Sequence, residues 1–290
     1  MPDGSLDDSF DLKLNDYILD IFISENDKIY VIGEFSKVDR FIRKEIAAIF
    51  DNGLVYEIFN ANTFVKWIQV GTHSKGGFGS FWKTDFTLKN TTEDSSKTVT
   101  YIHYSNGDIA NFLTFNLRPN ENIFTKDLFG ILNFEISGAI EVISSQDFST
   151  EAIIHNETNL GSFFYKRNLG QYFIGYDEGE AIQSGAIFWL YNLKENESYR
   201  SNLHFTNIGR KNAILDISLF INGNLFSKFM MELKPAEYRQ YTQIFKYYGV
   251  DNIENGSIRI INYSFQPVLA SASVIENSTN NGIVVLPQKE

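Results

Sequence analysis

The chain holds four imidazoles, His73, His103, His155 and His204, and no cysteine. Metal sites built from neighbouring ligands need spacings such as HxH, HxxxH or HExxH, and none of the four histidines stands at one. Alternation along "SNLHFTN" (201–207) puts His204 on the solvent side of a strand, and all four read as surface or loop residues. The lack of cysteine removes disulfides, thiol nucleophiles and every Cys-bearing zinc site. Carboxylates are plentiful, as at Asp7-Asp8, in "TED" (92–94) and in "DEGE" (177–180). A glycosidase needs two of them facing each other across a cleft, whereas at a formal net charge of −11 most acidic side chains are expected to be solvated. "DEGE" gathers hard oxygen ligands as a calcium site does, but it lacks the alternating Asp ladder. It reads either as a solvated turn or as a contributor to a calcium site. Glycine-rich "SKGGFGS" (74–80) leads into a strand, where a phosphate-binding loop would close with GKS or GKT onto a helix. It reads as a flexible connector before the first repeat unit. No GxSxG nucleophile elbow occurs. No catalytic, cofactor or metal residue is therefore assigned.

Aromatic side chains are the remaining chemistry. The chain has 26 Phe, 15 Tyr and 3 Trp, enough to build both cores and a platform. Trp67, Trp189 and the pair Tyr247-Tyr248 are the candidates for stacking against sugar rings; the competing reading places them in cores and domain seams.

These residues must be positioned by strands. A chain rich in aromatics and in Asn, Ser and Thr favours strands and turns over helices. "YILDIFIS" (17–24), "KIYVIGEFS" (28–36) and "EIAAIFDNG" (45–53) read as strands, the first two joined by "ENDK". "DGSLDDSF" (3–10) echoes "NGLVYEIF" (52–59) at a spacing of 49, as a propeller-like repeat would.

A second repeat runs from about 61 to the end. "FWKTDFTLKN" (81–90) aligns with "SYRSNLHFTN" (198–207), pairing Trp82 with Tyr199, Lys83 with Arg200, Thr84 with Ser201, Asp85 with Asn202 and Asn90 with Asn207. Asn106-Gly107 aligns with Asn222-Gly223, and Leu117-Arg118-Pro119 with Leu233-Lys234-Pro235. "FTKDLFGIL" (124–132) aligns with "YTQIFKYYGV" (241–250) as a short helical turn, and "SGAIEVI" (137–143) with "NGSIRII" (255–261). Order, spacing and turn chemistry agree over a hundred residues, so duplication is the reading. Two homologous units of six or seven strands are expected, each with an Asn-Gly hairpin and a Greek-key pattern. Trp82, Lys83, Asp85, Tyr199, Arg200 and Asn202 are expected to be structural repeat positions, with Arg200 tying down a neighbouring loop.

Two resemblances sharpen this. "PDGSLDDSF" followed by "NDYILDIFISENDKIYVIGEFSKVD" resembles the bacterial propeller-type repeat called delta-60, with Asn26-Asp27 in place of its usual Asp-Gly. It covers about 2–60 and implies one blade and a fragment, whose edges need covering. "ESYRSNLHFTNIG", "INGNLF…ELKPAEYRQYTQIFKYYGV" and "NGSIRI…PVLASASVIENSTNNGIVVLP" resemble a β-sandwich accessory module found in tandem in bacterial secreted proteins. "LGQYFIG" (169–175) resembles the link between its paired sandwiches, and the likeness spans about 61–287. The first sandwich departs more, with Lys83-Thr84-Asp85-Phe86 where the module has Arg-Thr-Asn-Leu.

The expected fold is thus all-β: a partial propeller-like blade (1–60), then two tandem Greek-key, immunoglobulin-like β-sandwiches (61–175 and 176–290). The resemblance implies a non-catalytic extracellular or cell-surface module working by display, strand-edge association or assembly. A carbohydrate-binding module with exposed aromatics is the alternative. The expected partners are other protein surfaces or copies of the chain itself, and glycans under the alternative. Nucleic acid is not expected, since Lys and Arg form no basic run or stripe. No stretch approaches the ~20 apolar residues of a membrane span. "MPDGSLDDSF" is no signal peptide, so an exported protein would carry its signal in a part not given.

Overall fold

The structure is a computed structural model describing residues 16–23, 29–33, 37–38, 41–42, 46–49, 55–56, 64–77, 79–130, 135–144, 146–156 and 170–290. It is all-β, as expected, with several antiparallel sheets and, among the described residues, one α-helix of four residues. No helix among them is long and apolar enough to cross a membrane. The chain divides into two compact units, Met1–Phe64 and Val65–Glu290.

In the first unit, β1 (Ile18–Ile23), β2 (Ile29–Gly33), β5 (Ile46–Ile49) and β6 (Val55–Tyr56) form a four-stranded sheet in that order. β3 (Lys37–Val38) and β4 (Phe41–Ile42) pair separately. Val31 and Ile32 of the central β2 are buried, while Ile18, Leu19 and Ile21 of β1 are exposed. The expected echo at 3–10 and the turn at 25–28 lie outside the described residues.

The second unit shows the duplication in its strand order. Its first half contains β7 (Phe64–Lys75), β8 (Phe81–Asn90), β9 (Lys97–Ser105), β10 (Asp108–Leu117), β11 (Asn122–Thr125), β12 (Ile136–Ser144), β13 (Phe148–Asn156) and β14 (Gln171–Ile174). Its second half contains β15 (Ile187–Glu195), β16 (Tyr199–Asn207), β17 (Ala213–Ile221), β18 (Asn224–Leu233), β19 (Tyr238–Tyr241), α1 (Ile244–Tyr247), β20 (Ile253–Asn262), β21 (Val268–Glu276), β22 (Gly282–Val285) and β23 (Gln288–Lys289). The order β10-β9-β12-β7 recurs as β18-β17-β20-β15, and β11-β8-β13-β14 as β19-β16-β21-β22. In each half the two layers share one apolar cluster, a sandwich-like arrangement. Ile68, Phe86, Tyr101, Val142 and Phe148 anchor the first, and Leu190, Phe205, Ile217, Ile260 and Ala272 the second. Each such aliphatic or phenyl side chain contributes about 1.5–3 kcal/mol by leaving water.

Local chemistry explains the turns. Asn106 and Gly107 have φ of 53° and 92°, and Asn222 and Gly223 have 49° and 79°. Both pairs thus make the left-handed two-residue turn that matches the twist of a hairpin. Gly138 answers a different need: a Cβ there would lie 1.7 Å from the Tyr104 carbonyl oxygen, so only glycine lets β12 pass β9. "SKGGFGS" is not a connector before the first repeat, as its composition suggests. β7 pairs with β8 on either side of it, Ser74 opposite Trp82, so the glycines form the turn of a hairpin inside the repeat.

Candidate functional site

The aligned repeat positions prove to be paired stitches. Thr84 Oγ1 accepts from Thr72 N at 2.7 Å and donates to Thr72 O at 2.9 Å, tying β8 to β7. Ser201 Oγ does the same between β16 and β15, through Lys194 N and O. Asp85 Oδ1 accepts from Asp127 N at 2.9 Å, and Asn202 Oδ1 from Gln243 N at 3.1 Å, so each pins the loop that follows β11 or β19. Asn90 Nδ2 donates to the carbonyls of Ser95, Leu117 and Arg118, and Asn207 Nδ2 to those of Lys211 and Leu233. Lys83 Nζ reaches Asp127 at 3.1 Å. The buried Arg200 donates to Asn277 Oδ1 and Asn280 Oδ1, tying down the β21–β22 loop through side-chain oxygens. Desolvation lowers its pKa to about 10, well above neutrality, so the guanidinium stays charged. Trp82 and Tyr199 are both half-buried, and the Lys194 ammonium lies 5.6 Å over the Tyr199 ring.

The outer face of β16 is not solvated. His204 is buried, correcting its expected place on the solvent side, and His103 and His155 are buried too. The cause is non-local: the first repeat covers the face of β16 and β21 that strand alternation assigns to water. Gln69 of β7 makes the central contacts. Its Nε2 donates to His204 O at 3.0 Å, its Oε1 accepts from Ser271 Oγ at 2.7 Å, and its carbonyl accepts from Thr206 Oγ1 at 2.7 Å. Glu141 of β12, itself buried, receives Tyr104 Oη at 2.6 Å and Arg210 Nη2 at 3.2 Å. A buried row of Asn202, His204, Thr206, Ser271 and Ser273 is polar but carries no formal charge at neutral pH. That composition was a legible signal, because a solvated face of so acidic a chain would carry Lys and Glu.

At one end the seam opens into a cleft of about 260 Å3. Exposed Lys75, Gly76, Gly77, Gln240 and Thr242 form its mouth, and buried Val70, Gln171, His204 and Ser273 its floor. His204 Nδ1 is 2.8 Å from Tyr238 Oη, and its Nε2 is 2.9 Å from Ser273 Oγ. The chain of contacts continues from Ser273 Oγ to Gln171 Oε1 and from Tyr238 Oη to Gln240 Oε1, both 2.9 Å. Burial pushes the His204 pKa down to about 4 and raises that of Tyr238, so both rings are neutral at pH 7. Four links then share three protons, one each from His204, Tyr238 and Ser273. The chain closes with neutral histidine when either terminal glutamine turns its amide nitrogen inward.

A hydroxyl 2.9 Å from an imidazole has the spacing of a nucleophile and its base. Ser273 is fully buried, however, and its hydroxyl lies as close to Gln171 Oε1 as to His204 Nε2. This arrangement suits hydrogen bonding to a ligand better than attack on one.

The expected aromatics are scattered. Trp67 is 3% exposed and stacks on Tyr104 with centroids 5.7 Å apart, so it offers no open face; it fills a seam. Tyr247 is 65% exposed, but its ring stands at 70° to Tyr248, which breaks a shared platform. Trp189 is half-buried and lies within 7° of parallel to Tyr191 at 5.7 Å, with the Arg259 guanidinium 6.0 Å over its ring. "DEGE" forms an exposed single turn of 3-10 helix, Glu178–Glu180, with Lys66 Nζ 3.1 Å from Asp177. Among the described residues no group of three or more His, Asp or Glu is placed to hold a metal ion. Set against protein-family models and against the curated proteins, the chain matches neither.

Proposed function

We propose that the chain is a non-catalytic module of a bacterial secreted or cell-surface protein, acting by display and by association through its strand edges. In this reading the first unit is a partial propeller-like blade and the second a pair of immunoglobulin-like sandwiches. The supporting observation is β18. It is a ten-residue edge strand exposing Leu225, Phe226 and Met230, beside exposed Ile214 of β17. Edge strands present unpaired backbone groups, and soluble proteins usually guard them with charge, proline or a short length. A long edge that exposes these apolar side chains alongside the charged Lys228 and Glu232 suits the addition of a strand from a neighbouring chain. The polar seam adds stiffness, which a display module needs. Light-scattering mass across a concentration series tests this: assemblies in multiples of 33.2 kDa are expected, dissolving in Phe226→Lys and Met230→Lys. A strictly monomeric wild-type chain would overturn the edge-association reading.

The near-parallel pair of Trp189 and Tyr191 favours a second reading, a carbohydrate-binding module. Loss of glycan-array binding in Trp189→Ala, with an unchanged melting temperature, would support it.

A further inference from the structure

We infer that the cleft between the repeats is a binding site for a neutral, hydroxyl-rich ligand of monosaccharide size. Its volume of about 260 Å3 lies just below that of drug-sized ligand pockets, which run from about 300 to 1,000 Å3, and so suits a smaller ligand. One wall carries the hydroxyls of Thr72, Ser74 and Ser137, with Thr72 2.8 Å from Ser74 and 2.6 Å from Ser137. The facing wall carries the Tyr238–Gln240–Thr242 chain, and the floor carries His204, Ser273 and Gln171. Hydroxyls and amides each donate and accept, which is the complement of a sugar hydroxyl.

Trp82 adds an apolar edge. A Cβ on Gly76 would lie 2.4 Å from its indole Nε1, so glycine there lets the rim close on the ring. The charged side chains of the lining are already engaged, which leaves its hydroxyls and amides to a neutral ligand. Among the described residues no carboxylate lines the cleft. Of its two cations, Lys75 reaches Glu135 at 2.8 Å, and Arg200 is held by Asn277 and Asn280. Nothing in this inference rests on edge association or on the Trp189 pair.

The test is calorimetric titration of the full chain with glucose, galactose, mannose and N-acetylglucosamine, and with glucuronate as the charged comparison. At least one neutral sugar is expected to bind with a millimolar or tighter Kd. Tyr238→Phe removes one hydroxyl from the wall and is expected to weaken binding about tenfold. Ser74→Leu fills the wall and is expected to abolish it, whereas Trp189→Ala leaves it unchanged. Should Tyr238→Phe fail to fold, Ser74→Leu decides, because its half-buried hydroxyl bonds only within the Thr72–Ser74–Ser137 trio among the contacts described. Three outcomes overturn the inference: no neutral sugar binds at tens of millimolar, only glucuronate binds, or binding is lost in Trp189→Ala and kept in both cleft variants.

Discussion

Acid should loosen the seam, and His204 sets how much. Its pKa is about 4 in the folded chain, against about 6.5 when unfolded. The unfolded state therefore binds a proton more readily, so this contribution is complete above pH 6.5 and is lost as pH falls toward 4. The full loss is on the order of 3 kcal/mol, most of it reached by pH 4.5, since each pKa unit is worth about 1.4 kcal/mol. Among the described residues the cleft lining holds no carboxylate to receive the imidazolium, and its charged groups, Arg200 and Lys75, are both cations. His103, stacked 4.1 Å from Phe129 and likewise lowered to about 4 by burial, adds a loss of similar size. The assay is urea unfolding of the full chain and of His204→Gln between pH 7.5 and 4.5. At pH 7.5 the variant should be less stable by about 1–2 kcal/mol through its lost hydrogen bonds. By pH 4.5 that gap should move by roughly 2–3 kcal/mol in favour of the variant. A gap that stays constant within about 0.5 kcal/mol over this range would refute the assignment of a buried neutral His204.

Three further outcomes follow from single contacts. Gly138→Ala should cost at least about 3 kcal/mol or prevent folding, read by thermal melting, because β12 cannot clear the Tyr104 carbonyl with a Cβ. Asn90→Ala and Asn207→Ala should each cost about 1–3 kcal/mol in urea unfolding, and by similar amounts, since they make the same loop stitches in the two repeats. Arg210→Met should cost about 1–3 kcal/mol by leaving buried Glu141 with Tyr104 alone, and Arg210→Met with Glu141→Gln should recover part of that loss.

The sequence disclosed the local half of this architecture. Asn106-Gly107 and Asn222-Gly223 announced their hairpins because a left-handed turn admits few residue types. The alignment of Thr84 with Ser201, Asp85 with Asn202 and Asn90 with Asn207 located positions that make matching hydrogen bonds, since duplicated chains keep the contacts of one repeat together. His204 was misjudged, and the two readings of Trp67 could not be told apart, for one shared reason. Alternation says which side chains share a face of β16 or β7, but it does not say what covers that face. The cover comes from contacts such as Ser271 to Gln69, 202 residues apart. The cleft was invisible for the same reason, because its two walls belong to different repeats.

The central claim is that the polar seam makes one body of the two repeats, and the tryptophans can test it. Trp82 lies in the first repeat and Trp189 in the second, so with Trp67→Phe in both, two variants that each keep only one of them would report the halves separately in urea. The seam predicts coincident unfolding midpoints for the two probes, and a common shift of both when Gln69→Ala removes its two side-chain contacts, to His204 O and from Ser271 Oγ. Separate midpoints, or a Gln69→Ala variant that moves neither, would contradict it.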